Sequence, residues 1–177
     1  VMWSPVEKTA LAEAEVEYHD VTSTAIFVRF PIVTASDPAL EGADIVIWTT
    51  TPWTIPGNRA VAYGPDIDYA VVEVKETAES SLAKVGENLV IAEARLETAL
   101  AEFGITTPNV IAIFKGSDLE GTVCRHPLAG QGYDFDVPAL AAGFATTEEG
   151  TGIVHIAPGH GSDDWELGTA NAIEVPE

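Results

Sequence analysis

Cysteine is nearly absent from the sequence, since Cys124 is the only one among 177 residues. A single thiol excludes an internal disulfide and any zinc site that needs several thiolates. It is typical of a reducing compartment, so we expect a cytoplasmic protein. Long apolar runs are absent too, and none approaches the ~20 residues of a membrane-spanning helix. We therefore expect no membrane partner.

Positive charge is the second shortage. Only 8 Lys and Arg face 28 Asp and Glu, which gives a formal charge of -20 at pH 7. The basic residues are scattered along the chain and form no cluster in the sequence. Tight binding of nucleic acid needs several cations to neutralise phosphates. Taken alone, the chain is predicted to bind RNA or DNA weakly.

Widespread catalytic and phosphate-binding motifs are also missing. The sequence has no G-x-S-x-G, no G-x-x-x-x-G-K, and no G-x-G-x-x-G between a strand and a helix. These absences argue against a serine hydrolase built on a nucleophile elbow, a P-loop protein and a dinucleotide-binding fold.

The sequence does contain enough apolar material for one folded domain, because 46% of its residues are hydrophobic. Apolar runs and period-two alternation predict strands over 25–33, 45–48, 60–63, 69–75, 88–91, 110–115, 122–126, 137–140 and 153–156. The early strands are predicted to form a β-meander. Helical patterns lie over 5–18 (a short helix or connector), 93–103 and 165–172. Gly104 marks the end of the second, and Ser162 or Asp163 is the predicted cap of the third.

The chain is organised around the stretch A-D-I-V-I-W-T-T-T-P-W-T-I-P-G-N-R over 43–59. Its unbroken apolar run over 45–48 predicts a strand buried on both faces. Three threonines over 49–51 place hydroxyls at the end of that strand, where Pro52 removes a backbone donor and Trp53 adds an aromatic face. Such a strand end is a natural ligand site. The alternative is a Thr-rich strand tip with ordinary hairpin chemistry.

A second polar stretch, G-T-G-I-V-H-I-A-P-G-H-G-S-D-D, covers 150–164. It places His155 in a predicted strand and His160, Asp163 and Asp164 in a glycine-rich loop. Imidazoles and carboxylates can hold an amine, order a water or bind a metal. Each also has a structural alternative, as a satisfied core histidine or a helix cap. The H-x4-H spacing spans a strand and a turn instead of one helical face, so we expect no metal.

The two stretches resemble the signature segments of the editing domain of isoleucyl-tRNA synthetases, the connective-peptide domain of these class I enzymes. W-T-T-T-P-W-T-I-P-G-N-R over 48–59 and the stretch over 150–164 stand in the family's order. The opening W-S-P-V-E-K-T-A-L-A-E-A-E-V-E-Y is similar to the family's lead-in, so the resemblance covers essentially the whole chain. Thr51 stands where the valyl and leucyl relatives carry arginine, which favours the isoleucyl family, and Gly57 replaces a common alanine.

The resemblance implies an α/β, β-rich fold with a compact β-barrel-like core and a few peripheral helices. It implies a connector over 1–20, the editing domain over 21–165, and a C-terminal helix or connector over 166–177. The chain opens at Val1 without methionine and is expected to be an excised piece of a longer enzyme. The signatures H-I-G-H and K-M-S-K-S are absent. ATP and Mg therefore belong to a synthetic site outside this chain, and no cofactor is expected for editing.

The implied activity is hydrolysis of valine wrongly attached to tRNA(Ile), and of valyl-adenylate. The implied partners are the 3' end of tRNA(Ile) carrying valine, valyl-adenylate and the rest of the synthetase chain. Asp164 would pair with the α-ammonium of the substrate. Thr50 and Thr51 would hold the attacking water and the carbonyl region. His155 would form the pocket wall that admits valine and excludes isoleucine.

Four further residues are implied in substrate binding: Thr49, Trp53, Asp163 and His160. Of these, Thr49 and Trp53 would contact the terminal adenosine. Two other functions remain open. The chain could be a non-catalytic β-rich module that binds an amino acid or nucleotide, or a structural insertion whose threonines and aspartates are turn chemistry.

Overall fold

The computed structural model describes residues 1–20 and 22–175 as eleven strands and two α-helices. The strands are β1 (Trp3–Ser4), β2 (Thr9–Ala10), β3 (Ile26–Thr34), β4 (Ala43–Thr49), β5 (Ala60–Tyr63), β6 (Asp68–Thr77), β7 (Asn88–Ala92), β8 (Ile105–Lys115), β9 (Val123–Arg125), β10 (Asp136–Ala141) and β11 (Ile153–Ile156). The helices are α1 (Leu96–Glu102) and α2 (Ser162–Ala170). Short 3-10 turns cover Glu13–Glu15, Pro38–Leu40, Pro52–Gly57, Glu93–Arg95 and Gly116–Leu119. In the described part of the chain, neither helix is long and apolar enough to cross a membrane.

Nine strands form one mixed sheet in the order β11-β5-β10-β9-β3-β4-β7-β6-β8. The prediction of a β-rich fold is confirmed, but the predicted meander is wrong. Strand β5 does not return beside β4, and it pairs with β10 in parallel and with β11 antiparallel. The reason is the turn Pro52–Gly57, which carries the chain away from β4 before β5 begins.

The sheet curls so that its β11 end packs against β4. The contact is tied by Thr151, whose Oγ1 donates to the carbonyl of Val46 at 2.6 Å. The N–H of Ala92 donates to the carbonyl of Thr151 at 2.8 Å. Within the described residues the two end strands, β8 and β11, do not pair with each other. The core is therefore barrel-like, as predicted, although hydrogen bonds do not close the barrel.

Strand β4 is buried on both faces, which confirms the prediction from its unbroken apolar run. Ile45 and Ile47 face the larger apolar cluster together with Phe30. Val46 faces a second cluster that includes Leu100 of α1. Full burial of a side chain of this size is worth roughly 1.5–3 kcal/mol. The rigidity of β4 at its carboxyl end follows from this packing on both sides.

The helix predictions need two corrections. The stretch over 5–18 was predicted as a short helix or connector, and the helix alternative is wrong. The stretch contains the turn and second strand of the β1–β2 hairpin and a 3-10 turn, because Lys8 takes a left-handed turn conformation with φ 56°. The last helix begins at Ser162 with Gly161 as its N-cap, so neither Ser162 nor Asp163 is the cap. The predicted end of the earlier helix is confirmed, since Gly104 has φ +69°. Val21, where the predicted domain boundary falls, and 176–177 lie outside the described residues.

A close approach of two glycines joins the turn before β6 to the turn after β8. A Cβ added at Gly116 would lie 2.0 Å from the carbonyl oxygen of Gly64. The buried Tyr69 hydroxyl accepts from the N–H of Gly64 at 3.0 Å and donates to the carbonyl of Gly152 at 2.6 Å. These contacts bring the start of β11 beside β6.

We expect Gly116→Ala to destabilise the chain by about 3 kcal/mol, because the new methyl group would overlap backbone atoms that have no room to move. Gly143 is the matched control, since nothing lies within 4 Å of a Cβ added there. Gly143→Ala is expected to change stability by no more than about 0.5 kcal/mol. Urea denaturation measures both, and equal midpoints for the two variants would contradict the proposed overlap.

Candidate functional site

The threonines at the end of β4 do not all point the same way. The Oγ1 of Thr49 accepts from the N–H of Thr51 at 3.1 Å and lies 3.2 Å from the Thr51 hydroxyl. Thr49 is buried, whereas Thr50 and Thr51 are exposed. Thr50 lies just beyond the end of β4, and the hydroxyl of Ser23 donates to its carbonyl at 3.0 Å. Side-chain hydrogen bonds therefore join Thr49 to Thr51, whereas this contact of Thr50 is made by its backbone.

His155 binds the turn that follows these threonines. The Nδ2 of Asn58 donates to the carbonyl of Ala60 at 2.8 Å, and it contacts the Nδ1 of His155 at 3.2 Å. An amide N–H only donates, so Nδ1 accepts and the ring proton is on Nε2. That proton is donated to the Oγ1 of Thr54 at 2.8 Å, and Thr54 in turn donates to the carbonyl of Thr51 at 2.8 Å.

The environment of His155 keeps the ring neutral. Burial, with smaller contributions from the nearby rings of His126 and His160, lowers its pKa from 6.5 to about 4. A second ring proton at Nδ1 would point at the amide protons of Asn58. This repulsion disfavours the charged ring and agrees with a lowered pKa. Both ring nitrogens are thus used by protein groups, and the side chain is only 7% exposed. The geometry is that of a satisfied buried histidine that holds the Pro52–Gly57 turn.

The start of α2 lies against the other side of this turn. A Cβ added at Gly57 would be 3.1 Å from the Cδ2 of His160 and 3.8 Å from the Cβ of Ala157. Asp164 lies in the first turn of α2 instead of the predicted loop, and its Oδ2 accepts from the N–H of Ala157 at 2.8 Å. Burial raises the pKa of Asp164, and the Ala157 hydrogen bond opposes that rise. His160 and Asp163 are exposed beside it.

An open cleft of about 450 Å³ lies between the end of β4 and the segment that leads into β11. Thr49 and Thr50 line one side, and Glu148, Glu149 and Val154 line the other. His155, Asp164 and Trp53 do not line this cleft, and Trp53 is 70% exposed. The predicted site residues therefore form neighbouring groups around the Pro52–Gly57 turn instead of one enclosed pocket.

Two other observations bound the site. A larger cavity of about 890 Å³ lies elsewhere, between β3 and the carboxyl end of α1, and none of the predicted site residues lines it. We therefore place the site by its polar geometry and not by cavity size. Across residues 1–20 and 22–175, no three His, Cys, Asp or Glu side chains form a group that could hold a metal.

The sequence analysis missed three residues that shape the site. Thr54 and Asn58 lie inside the quoted Thr-rich motif, but nothing in the sequence shows that they bind His155. His126 is buried, and its Nε2 donates to the carbonyl of Ile55 at 3.0 Å while its Nδ1 accepts from the N–H of Leu128 at 3.1 Å. No local signal marks this histidine. It fixes the Pro52–Gly57 turn at Ile55.

The chain is similar to isoleucine–tRNA ligases, although no family model matches it. The ligase of Gluconobacter oxydans is 58% identical over 179 residues, which cover 100% of the chain and 19% of that relative. The ligase of Pelagibacter ubique is 48% identical over 167 residues, which cover 94% of the chain and 18% of the relative. The chain thus spans about a fifth of the length of these relatives.

Solved structures match the fold. GlLeuRS-CP1 has a TM-score of 0.62 at 18% identity, covering 86% of the chain and 66% of that structure. The editing domain of the P. knowlesi cytosolic leucyl-tRNA synthetase matches with a TM-score of 0.59 at 13% identity. This match covers 89% of the chain and 68% of that structure. The chain therefore has the fold of the leucyl-tRNA synthetase editing domains. It is homologous along its whole length to one segment of the isoleucine–tRNA ligase family, which confirms the resemblance of its two motifs.

The neutral His155 is expected to make the fold less stable in acid. Its pKa of about 4 in the folded chain lies below the ordinary 6.5, so the unfolded chain takes up this proton first as pH falls. The contribution of the neutral ring is fully present above pH 6.5 and is lost between pH 6.5 and about 4, by up to about 3 kcal/mol.

His155→Gln removes this titration while leaving every carboxylate in place. We expect the stability gap between wild type and variant, measured by urea unfolding, to be widest above pH 6.5 and to narrow at about pH 4.5. A gap that stays constant over this range would show that the ring does not titrate as described.

Proposed function

We propose that the chain is the editing domain of an isoleucine–tRNA ligase and hydrolyses valine from misacylated tRNA(Ile), and from valyl-adenylate. The observation that carries this proposal is whole-length homology to these ligases in a chain with the fold of synthetase editing domains. The ligase itself needs a second site because one methylene is discriminated weakly by binding alone, a limit for which isoleucine–tRNA ligases are a known example.

In this proposal the hydroxyls at the end of β4 position the reacting groups. Thr50 and Thr51 are exposed and able to donate or accept, so they hold the attacking water and the ester carbonyl. Thr49 lines the cleft beside Thr50 and, with the exposed ring of Trp53, contacts the terminal adenosine. The rate gain comes from orientation and from hydrogen bonds to developing charge, without a cofactor or a covalent intermediate.

Asp164 provides the charge that selects an aminoacyl group. One of its oxygens, Oδ2, accepts from Ala157, which fixes the carboxylate at the start of α2. The proposed partner is the free α-ammonium, a cation that an uncharged tRNA end lacks. His160 and Asp163 are exposed next to Asp164 and are proposed as further binding residues.

The part of His155 in size selection stays a prediction. The ring does not line the cleft, so its effect on the pocket is proposed to act through the Pro52–Gly57 turn that it holds. Displacing this turn would move the threonine hydroxyls together with the pocket wall that is proposed to select valine. Replacement of His155 is therefore proposed to impair positioning together with the discrimination between valine and isoleucine.

A second candidate function is recognition without catalysis. It is favoured by one observation, that His155 has no free ring nitrogen and Asp164 already accepts a hydrogen bond. A module with such groups would bind an amino acid or nucleotide without hydrolysing an ester. Turnover of a valyl ester by the ligase separates the two candidates.

The remaining assignments are proposals of the same kind. Residues 1–20 are proposed as the connector from the rest of the synthetase, and 166–177 as the connector back to it. The β1–β2 hairpin lies outside the nine-stranded sheet, which supports the first of these. ATP and Mg act at the synthetic site of the full ligase, and tRNA(Ile) is its partner.

Asp164→Ala in the full-length ligase is expected to reduce deacylation of valyl-tRNA(Ile) by at least about 100-fold, because the ester loses its anchored ammonium group. Aminoacylation with isoleucine serves as the check that the enzyme is folded. Glu166→Ala is the matched control, since this exposed carboxylate lies on the same helix and has no proposed part in binding. Normal deacylation by a well-folded Asp164→Ala ligase would contradict the proposed pairing of Asp164 with the α-ammonium.

The 177-residue chain by itself is expected to bind tRNA(Ile) weakly, at about 10 μM or worse in physiological salt, and hardly better than a short aminoacyl-adenosine. The cause is its charge of -20, which repels the phosphate backbone. Filter binding measures this affinity. Nanomolar, tRNA(Ile)-specific binding by the chain alone would refute the idea that the rest of the ligase holds the tRNA.

A further inference from the structure

Strand β8 forms one end of the nine-stranded sheet, where it pairs with β6 over much of its length. Among residues 1–20 and 22–175, no strand pairs with its other side. A row of backbone N–H and C=O groups therefore faces outward along its 11 residues. Such an edge is a template for an added strand. The opposite end strand, β11, has only 4 residues and packs against β4.

The side chains of β8 are unusually apolar for an edge. Val110, Ile111 and Ile113 are 45%, 47% and 54% exposed. The run I-T-T-P-N-V-I-A-I-F over 105–114 has no charged residue, whereas 20% of the whole chain is charged. Natural edge strands are normally protected from association by charges or proline. Here Pro108 lies ahead of the apolar run and the pairing with β6 shifts register between Val110 and Ala112, but no charge lies on the run itself.

The identity of the occupant follows from charge and length. A second copy of the chain and an RNA backbone are both repelled by the charge of -20. The relatives, of which the chain covers 19% and 18%, are more than five times longer, so most of such a ligase lies outside this domain. We propose that an extended segment from outside residues 1–177 of the ligase pairs with the outer edge of β8 as an additional strand.

The surroundings of the edge define the chemistry of that segment. Apolar side chains at alternate positions would cover Val110 and Ile113. Nearer the start of β8, Asn109 donates to Glu73 at 3.0 Å and Thr107 donates to Glu76 at 2.7 Å, so two carboxylates of β6 lie beside the strand. Glu73 also pairs with Lys75, so a Lys or Arg at this end of the segment is expected to be attracted mainly by Glu76. The inference rests on the chain being part of a ligase and not on its hydrolytic activity.

Hydrogen exchange of single backbone amides in the full-length ligase, without tRNA, tests this pairing. The outward amides over 110–114 are expected to exchange at least about 100-fold more slowly than those of the exposed loop over 79–86. Exchange as fast as in that loop would overturn the proposal. Protection that disappears on about tenfold dilution indicates a second copy, and protection that requires tRNA indicates RNA, so both outcomes also overturn it.

Two variants separate pairing from general stability. Ile113→Lys should restore fast exchange over 110–114 while the amides of β6 stay protected, because the cation disrupts the apolar contact but not the sheet. Leu82→Lys, at a loop residue that is 90% exposed, should change nothing. Retained protection over 110–114 in Ile113→Lys would count against the proposal. If β6 also loses protection in that variant, the substitution has disrupted the sheet itself, and the wild-type exchange rates over 110–114 decide whether the pairing exists. Deacylation is not a readout here, so a failed editing assay leaves this result intact.

Discussion

The hydrogen bond between His155 and Thr54 is the constraint on which the site depends. It joins residues 101 positions apart in the sequence, on strands and turns that do not pair in the sheet. Both partners are buried, so breaking the contact leaves polar groups without water, at a cost of about 1–3 kcal/mol each. His126 holds the same turn through a second contact, at the carbonyl of Ile55. The threonine hydroxyls therefore have a fixed position before any substrate arrives, which is the condition for catalysis by orientation.

This constraint also separates two kinds of histidine that look equivalent in the sequence. His155 sits in a strand with both nitrogens occupied, whereas His160 is exposed beside Gly57. Glycine at position 57 leaves room for the His160 ring, because a Cβ added there would lie 3.1 Å from its Cδ2. A strand histidine in a polar motif is thus able to support a site by holding its frame, without meeting the substrate.

Much of the fold follows from local patterns in the sequence, because apolar periodicity reports burial directly. The two-sided burial of β4 and the strand over 153–156 are of this kind. The order of the strands does not follow from local patterns, because the parallel pairs β4–β7 and β5–β10 depend on long connections that no turn residue specifies. Strand β8 also begins five residues before its apolar run, at Ile105, because pairing with β6 extends it through Pro108.

The candidate site shows the same division. The proposed site residues stand out in the sequence, since threonines at the end of a strand and aspartates at the start of a helix are polar groups at element ends. Their partners do not stand out. The amide of Asn58 is fully buried and donates to Ala60 and to the ring of His155, and this arrangement exists only once β11 lies beside β5. Hydrogen bonds between distant segments are a property of the fold and leave no local pattern.

The acidic lining of the cleft bears on how a product leaves. Glu148 and Glu149 stand across from the threonines, in a chain whose net charge is -20. An aminoacyl ester presents only a cation at its acyl end, and this field attracts it. Hydrolysis creates a carboxylate on the freed amino acid, so the attraction is cancelled at the moment the ester bond breaks. In a domain that acts as proposed, the carboxylates that draw in the mischarged end would no longer hold the freed amino acid, because that zwitterion has no net charge.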